Sequence, residues 1–140
     1  MVRRPPARHD GGMDMDPYEK PAPPSLSPAE ERTLGSIAHG VPLVAMVLSV
    51  GVLGFVASLV VYLLYKDRGP FVRANAANSL NVQIITGIVL VVSVPLMFVL
   101  VGFLTYGIAL VFAFVLHLVG LLKAYRGQWW KPPMTPRFMR

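Results

Sequence analysis

Four carboxamides fall within residues 75–83: Asn75, Asn78, Asn81 and Gln83. On a helix, Asn75, Ser79, Gln83 and Thr86 step by 4, 4 and 3 positions, so they form one stripe. Asn78 and Asn81 lie beside it. Amides and hydroxyls cannot act as acids or bases near neutrality, but they donate and accept hydrogen bonds. Two roles fit that chemistry. The stripe joins membrane helices, with each contact contributing roughly 0.6–2 kcal/mol, or it lines a hydrated cavity or pathway. Residue types favour the first. His117 is the other candidate, an ionisable side chain deep inside an apolar segment, where such groups tend to be functional or to bond across a bundle.

Other site chemistry is sparse. There is no cysteine, which removes thiolate nucleophiles, thiolate metal sites and disulfides. No GxSxG, HExxH or phosphate-loop pattern occurs. Glu30 and Glu31 are adjacent and read as a solvated pair. His39, beside Gly40, reads as a packed histidine near the interface. The expectation is a protein that is not an enzyme, with no catalytic residue, no metal and no cofactor.

The elements that must position the stripe follow from charge spacing. The apolar fraction is 54% and mean hydropathy is +0.57. No charged side chain occurs between Arg32 and Lys66, or between Arg73 and Lys123. A spanning helix needs about 20 apolar residues, so these gaps predict an all-α integral membrane bundle of about four helices. The expected order is a disordered Pro-rich tail over 1–26, a multi-pass helical domain over 27–131, and a basic tail over 132–140. No apolar stretch follows Arg3 and Arg4, so the tail does not read as a signal peptide.

Ser27-Pro28-Ala29-Glu30 is a capping-box start. Expected helices run over about 28–48, 52–66, 71–101 and 104–125, with turns near Ser49–Gly51, Gly69–Pro70 and Gly102–Gly107. A single tilted span over about Val41–Tyr65 competes with the first hairpin. Orientation favours the hairpin, because it keeps the N-terminal Lys/Arg residues on the same side as the other basic segments.

Those segments hold Lys66, Arg68, Arg73, Lys123, Arg126 and Lys131, and from Arg32 onward only Asp67 is acidic. Such charges flanking apolar runs point to anionic lipid headgroups rather than nucleic acid. The 66–73 loop and the C-terminus are therefore expected on the cytoplasmic side of a cell membrane. Expected partners are the bilayer and either another membrane protein or a second copy of the chain.

Several motifs also recur in one family. They are Glu31-Arg32 with Ala38-His39, then Leu63-Leu64-Tyr65-Lys66-Asp67 before Pro70-Phe71-Val72. Next come Ala76-Ala77 with Leu80-Asn81-Val82-Gln83, and finally Lys123-Ala124, Gly127 and the Trp-Pro segment at 129–133. In these the chain resembles the bacterial Tic-twenty-like domain-of-unknown-function family, with Val82 where that pattern carries an aromatic. The resemblance implies a multi-pass membrane domain and, by analogy, an accessory or channel-like component in protein translocation or transport. A structural interaction subunit with no transport activity is the alternative.

Overall fold

The computed structural model describes residues 25–139. The tail expected over 1–26 lies almost wholly outside them. Four helices are described: α1 Pro28–Leu48, α2 Val52–Tyr65, α3 Pro70–Leu96 and α4 Val101–Tyr125, with a 3-10 turn at Met97–Val99 before α4. There is no strand among the described residues. The all-α expectation therefore holds.

Local chemistry explains the ends. The Ser27 hydroxyl accepts from the Glu30 N–H at 3.3 Å while the Glu30 carboxylate accepts from the Ser27 N–H at 2.8 Å, closing a capping box. Pro28 and Pro70 take first-turn positions, where a missing N–H costs nothing. Pro42 sits inside α1 and is buried. Membrane helices tolerate such a proline where neighbours re-satisfy the backbone.

Between α1 and α2 the chain turns sharply. Val50 and Gly51 both have positive φ, 52° and 103°. The polar groups of this turn are consumed locally. The Ser49 hydroxyl donates to Ala45 O at 2.6 Å and accepts from the Leu53 N–H at 2.8 Å. The Gly51 N–H reaches Met46 O at 2.8 Å, and the Tyr106 hydroxyl donates to Val50 O at 2.6 Å. A turn surrounded by apolar side chains needs this full satisfaction.

The turn between α3 and α4 falls earlier than Gly102–Gly107. Leu100 adopts a left-handed conformation with φ 64°, and α4 begins at Val101. Both glycines thus lie inside α4. Pro95 is tolerated because α3 ends one residue later and tightens into the 3-10 turn.

Helices α1 and α3 form the shared diagonal of the bundle. Each touches all three other helices, whereas α2 and α4 do not touch each other. The α1–α2 hairpin is the shorter one. Its turn packs against Leu90, Tyr106 and Leu110. Beyond that level the second hairpin continues from Leu90 to Val99, roughly 14 Å further by helical rise.

The outer surface suits lipid. Two stretches, Pro70–Val99 and Val101–Tyr125, are long and apolar enough to cross a membrane. Only 28% and 22% of their apolar windows are buried. A core helix of a soluble protein would be mostly covered. Here the apolar side chains face outward and the polar ones inward.

Candidate functional site

The polar residues that the sequence singles out lie inside the bundle, among buried apolar side chains such as Val72, Leu80, Val82 and Leu116. Asn75, Ser79, Asn81, Gln83, Thr86 and His117 are all buried, and Asn78 is half-buried. Helix α3 supplies the stripe, α4 supplies His117, and α1 adds His39, which is fully buried.

At the centre, the His39 and His117 rings meet with Nδ1 atoms 3.4 Å apart. The ring planes stand 64° apart. His117 Nε2 lies 2.8 Å from Gln83 Nε2. The same amide nitrogen reaches the Met46 thioether at 3.6 Å. The Asn75 carboxamide, also buried, donates from Nδ2 to Phe71 O at 2.9 Å. Trp130 packs edge-on over His39 with centroids 5.9 Å apart.

These contacts fix one proton arrangement. An amide nitrogen only donates, so Gln83 donates to His117 Nε2 and the His117 proton resides on Nδ1. His117 then donates to His39 Nδ1, which places the His39 proton on Nε2. Two buried polar atoms lack a close partner, His39 Nε2 and Asn75 Oδ1. The bonded chain runs from Gln83 to His117 to His39 and stops there.

Two glycines admit these side chains. A Cβ on Gly120 would stand 2.5 Å from His39 Cε1, and one on Gly54 would stand 2.7 Å from Gln83 Nε2. The bulky polar groups occupy notches that any larger residue would fill.

The remaining stripe residues bond within the protein. Ser79 pairs with Ser58 of α2 at 3.1 Å. Asn75 Nδ2 donates to Phe71 O at 2.9 Å, and Thr86 Oγ1 donates to Val82 O at 2.8 Å. Asn78 Nδ2 donates to Trp130 O at 2.6 Å. Asn81 grips the C-terminal segment twice over. Its Oδ1 accepts from the Phe138 and Met139 N–H groups at 3.1 and 2.8 Å, and its Nδ2 donates to Met139 O at 3.0 Å. The segment after Pro132-Pro133 therefore folds back onto α3, where the sequence suggested only a basic tail over 132–140.

Three of these features were not read from the sequence: the His39–His117 contact, the Asn81 clamp and the role of Gly54 and Gly120. One signal for the first was available. His39 stands seven residues after Arg32, and His117 six residues before Lys123. Nearly equal distance from the charged boundary, on antiparallel helices, places both at a similar depth.

The basic residues all lie at one end. Lys66, Arg68 and Arg73 flank the α2–α3 loop, while Lys123, Arg126 and Lys131 mark the end of α4 and the segment after it. The acids Glu30, Glu31 and Asp67 share that end. Among the described residues, no group of three His, Asp or Glu side chains converges on a common point.

No curated protein and no solved structure matches the chain. The likeness to Tic-twenty-like proteins is carried by the quoted motifs and by no family match. A protein-family model described as the magnetosome magnetite crystal formation protein family matches residues 30–139. That range takes in all four helices, the histidine pair and the Asn81 clamp, and the chain belongs to the magnetosome magnetite crystal formation protein family.

Proposed function

We propose that this protein takes part in magnetite crystal formation as a membrane-embedded, non-enzymatic interaction subunit, and that its polar interior joins helices rather than conducting a solute. The observation that carries this reading is the pairing of the stripe. Each carboxamide of α3 is engaged by another part of the same chain: Phe71, Trp130, Phe138–Met139 or His117. A solute pathway needs donors and acceptors free to exchange with water or cargo, and an amide spent on a buried internal partner loses that freedom.

The role in crystal formation comes from the family, and the chemistry of the described residues supports an indirect one. Direct growth or capture of an iron oxide calls for clustered oxygen ligands. The described carboxylates are few, dispersed and confined to one end. The protein instead offers a lipid-facing apolar exterior and one basic end, which suits holding partners at a membrane that bounds the mineral. In this reading the basic end faces the cytoplasm, as the positive-inside tendency requires. Against the accessory or channel-like role in translocation, suggested by the Tic-twenty-like motifs, stands that every α3 carboxamide already holds at least one partner within the chain.

The test uses replacement rather than deletion. In magnetite-forming cells, the paired substitution Gln83→Leu with His117→Leu exchanges the central polar contact for an apolar one of similar volume. A helix-joining seam tolerates that exchange, so crystals seen by electron microscopy keep their number and size. Loss of normal crystals with a folded, membrane-inserted variant would contradict the reading and favour a conducting role.

A further inference from the structure

We propose that the cleft between α3 and the C-terminal segment binds the phosphodiester headgroup of an anionic phospholipid. This goes beyond the functional reading and depends only on the placement of the bundle in a membrane. The cleft encloses about 570 Å³. Its floor is Ala74 and Ala77, its walls are Trp130 and Met139, and its charged rim is Lys131 and Arg137.

Depth comes first. Ala74 and Ala77 lie within one turn of Arg73, the last charged residue before the long apolar run. Trp129 and Trp130, which also line the cleft, are the only tryptophans of the chain. Tryptophan concentrates at the headgroup level of a bilayer. The cleft therefore opens where phosphates lie.

Charge comes second. Neither Lys131 nor Arg137 is paired with a carboxylate among the described residues, and both are exposed. A guanidinium presents two parallel donors to a phosphodiester, and the ammonium adds a point charge. The other large groove of the protein makes the contrast. It measures about 620 Å³, lies between the α1–α2 turn and α3, and has Tyr106 as its one polar side chain apart from glycine backbone. That groove takes hydrocarbon, whereas the cleft joins cations to an apolar floor, the order found along a phospholipid.

Shape comes third. The C-terminal segment is held in place by bonds that involve neither cation. Asn78 fixes Trp130 O, and Asn81 fixes Phe138 and Met139. The site is preformed, so binding does not have to order the segment.

The two tryptophans give a native reporter. The full chain is placed in phosphatidylcholine nanodiscs doped with brominated phosphatidylglycerol or, separately, brominated phosphatidylcholine, and tryptophan quenching is measured. Each basic residue near an anionic surface strengthens attraction by about five-fold, so the expected preference for the anionic lipid is at least about five-fold. The double variant K131Q/R137Q loses that preference. The variant K66Q/R68Q, which removes the same charge elsewhere on the same end, keeps it. If the double variant does not fold, R137Q alone is used, and a drop of about two-fold or more is expected.

Equal quenching by the two lipids would overturn the proposal. So would equal loss in K66Q/R68Q and K131Q/R137Q, which would mean diffuse surface attraction. Inorganic phosphate added to discs of phosphatidylcholine alone is expected to leave the emission unchanged. A response to it would assign the site to a soluble oxyanion instead of a lipid.

Discussion

The α3–α4 hairpin has two unlike halves. Near the charged end, over 71–86 on α3 and 113–125 on α4, helices α1 and α2 cover it, and its buried side chains include Asn75, Ser79, Asn81, Gln83, Thr86 and His117. In the far half, over 87–112, the short α1–α2 hairpin has stopped at the level of Leu90 and Tyr106. There the surface is bare hydrocarbon, and Phe98 is 93% exposed. Its side-chain polar contacts between elements are Ser93 with Thr105 at 2.7 Å and, where it meets the α1–α2 turn, Tyr106 with Val50 O. The difference teaches where polar residues are tolerated in a membrane bundle. They accumulate where a third and a fourth helix supply partners, and they become few where lipid is the neighbour.

Glycine substitutions sharpen that contrast most. In the covered half, Gly120→Ala drives a methyl into the His39 ring, which is held by His117 and Trp130. The expected loss is about 2–3 kcal/mol of overpacking strain, seen as a lower melting temperature in micelles. In the far half, a Cβ on Gly87 meets nothing within 4 Å. Gly87→Ala is expected to be neutral or stabilising by up to about 1 kcal/mol, through helix propensity. Equal losses at the two positions would erase the distinction.

Next in size is Gln83→Leu. It removes the donor that sets the histidine tautomers and leaves His117 Nε2 buried without a partner. The expected cost is about 1–3 kcal/mol, read by the same melting measurement.

A smaller effect is expected at the boundary between the halves. Tyr106→Phe strips Val50 O of its donor at the α1–α2 turn. Interhelical bonds in membranes average about 0.6 kcal/mol, so the loss is of that order. Faster amide exchange over 49–53 would mark it.

The smallest effect lies outside the membrane. The Ser27 N–H, and after it the Ser27 hydroxyl, hold the Glu30 carboxyl below its ordinary range. A lowered folded-state value stabilises the start of α1 at pH above the ordinary carboxylate range. That contribution fades as pH falls through the lowered value. Ser27→Ala removes the hydroxyl part, so fraying of the first turn sets in at higher pH, as followed by amide exchange at residues 28–31.

Much of this organisation was legible in the residues. Two charge-free gaps announced the membrane, Ser27 to Glu30 announced the start of α1, and the polar stripe of α3 pointed to the interior. What the sequence hid has physical causes. Gly102 and Gly107 look like turn residues, yet they fall within α4, and the turn rests on Leu100 in a conformation that leucine rarely adopts. Nothing in residue type signals that. The Asn81 clamp joins positions 57 and 58 residues apart. It becomes visible only once Pro132 and Pro133 have redirected the chain. His39 and His117 each looked solitary because the packing of α1 on α4, rather than any local pattern, brings them together.

The central claim is that the polar seam is sealed. It is tested by introducing Asn75→Cys, Asn81→Cys and Gln83→Cys one at a time, with Arg68→Cys as an exposed control, in a chain that has no native thiol. A membrane-impermeant, water-soluble maleimide is then applied to the protein in intact membranes and, after opening both faces, in permeabilised ones. The sealed seam predicts rapid labelling at position 68 and protection at 75, 81 and 83 once both faces are open. Labelling at 83 as fast as at 68 would contradict it and reveal water in the core.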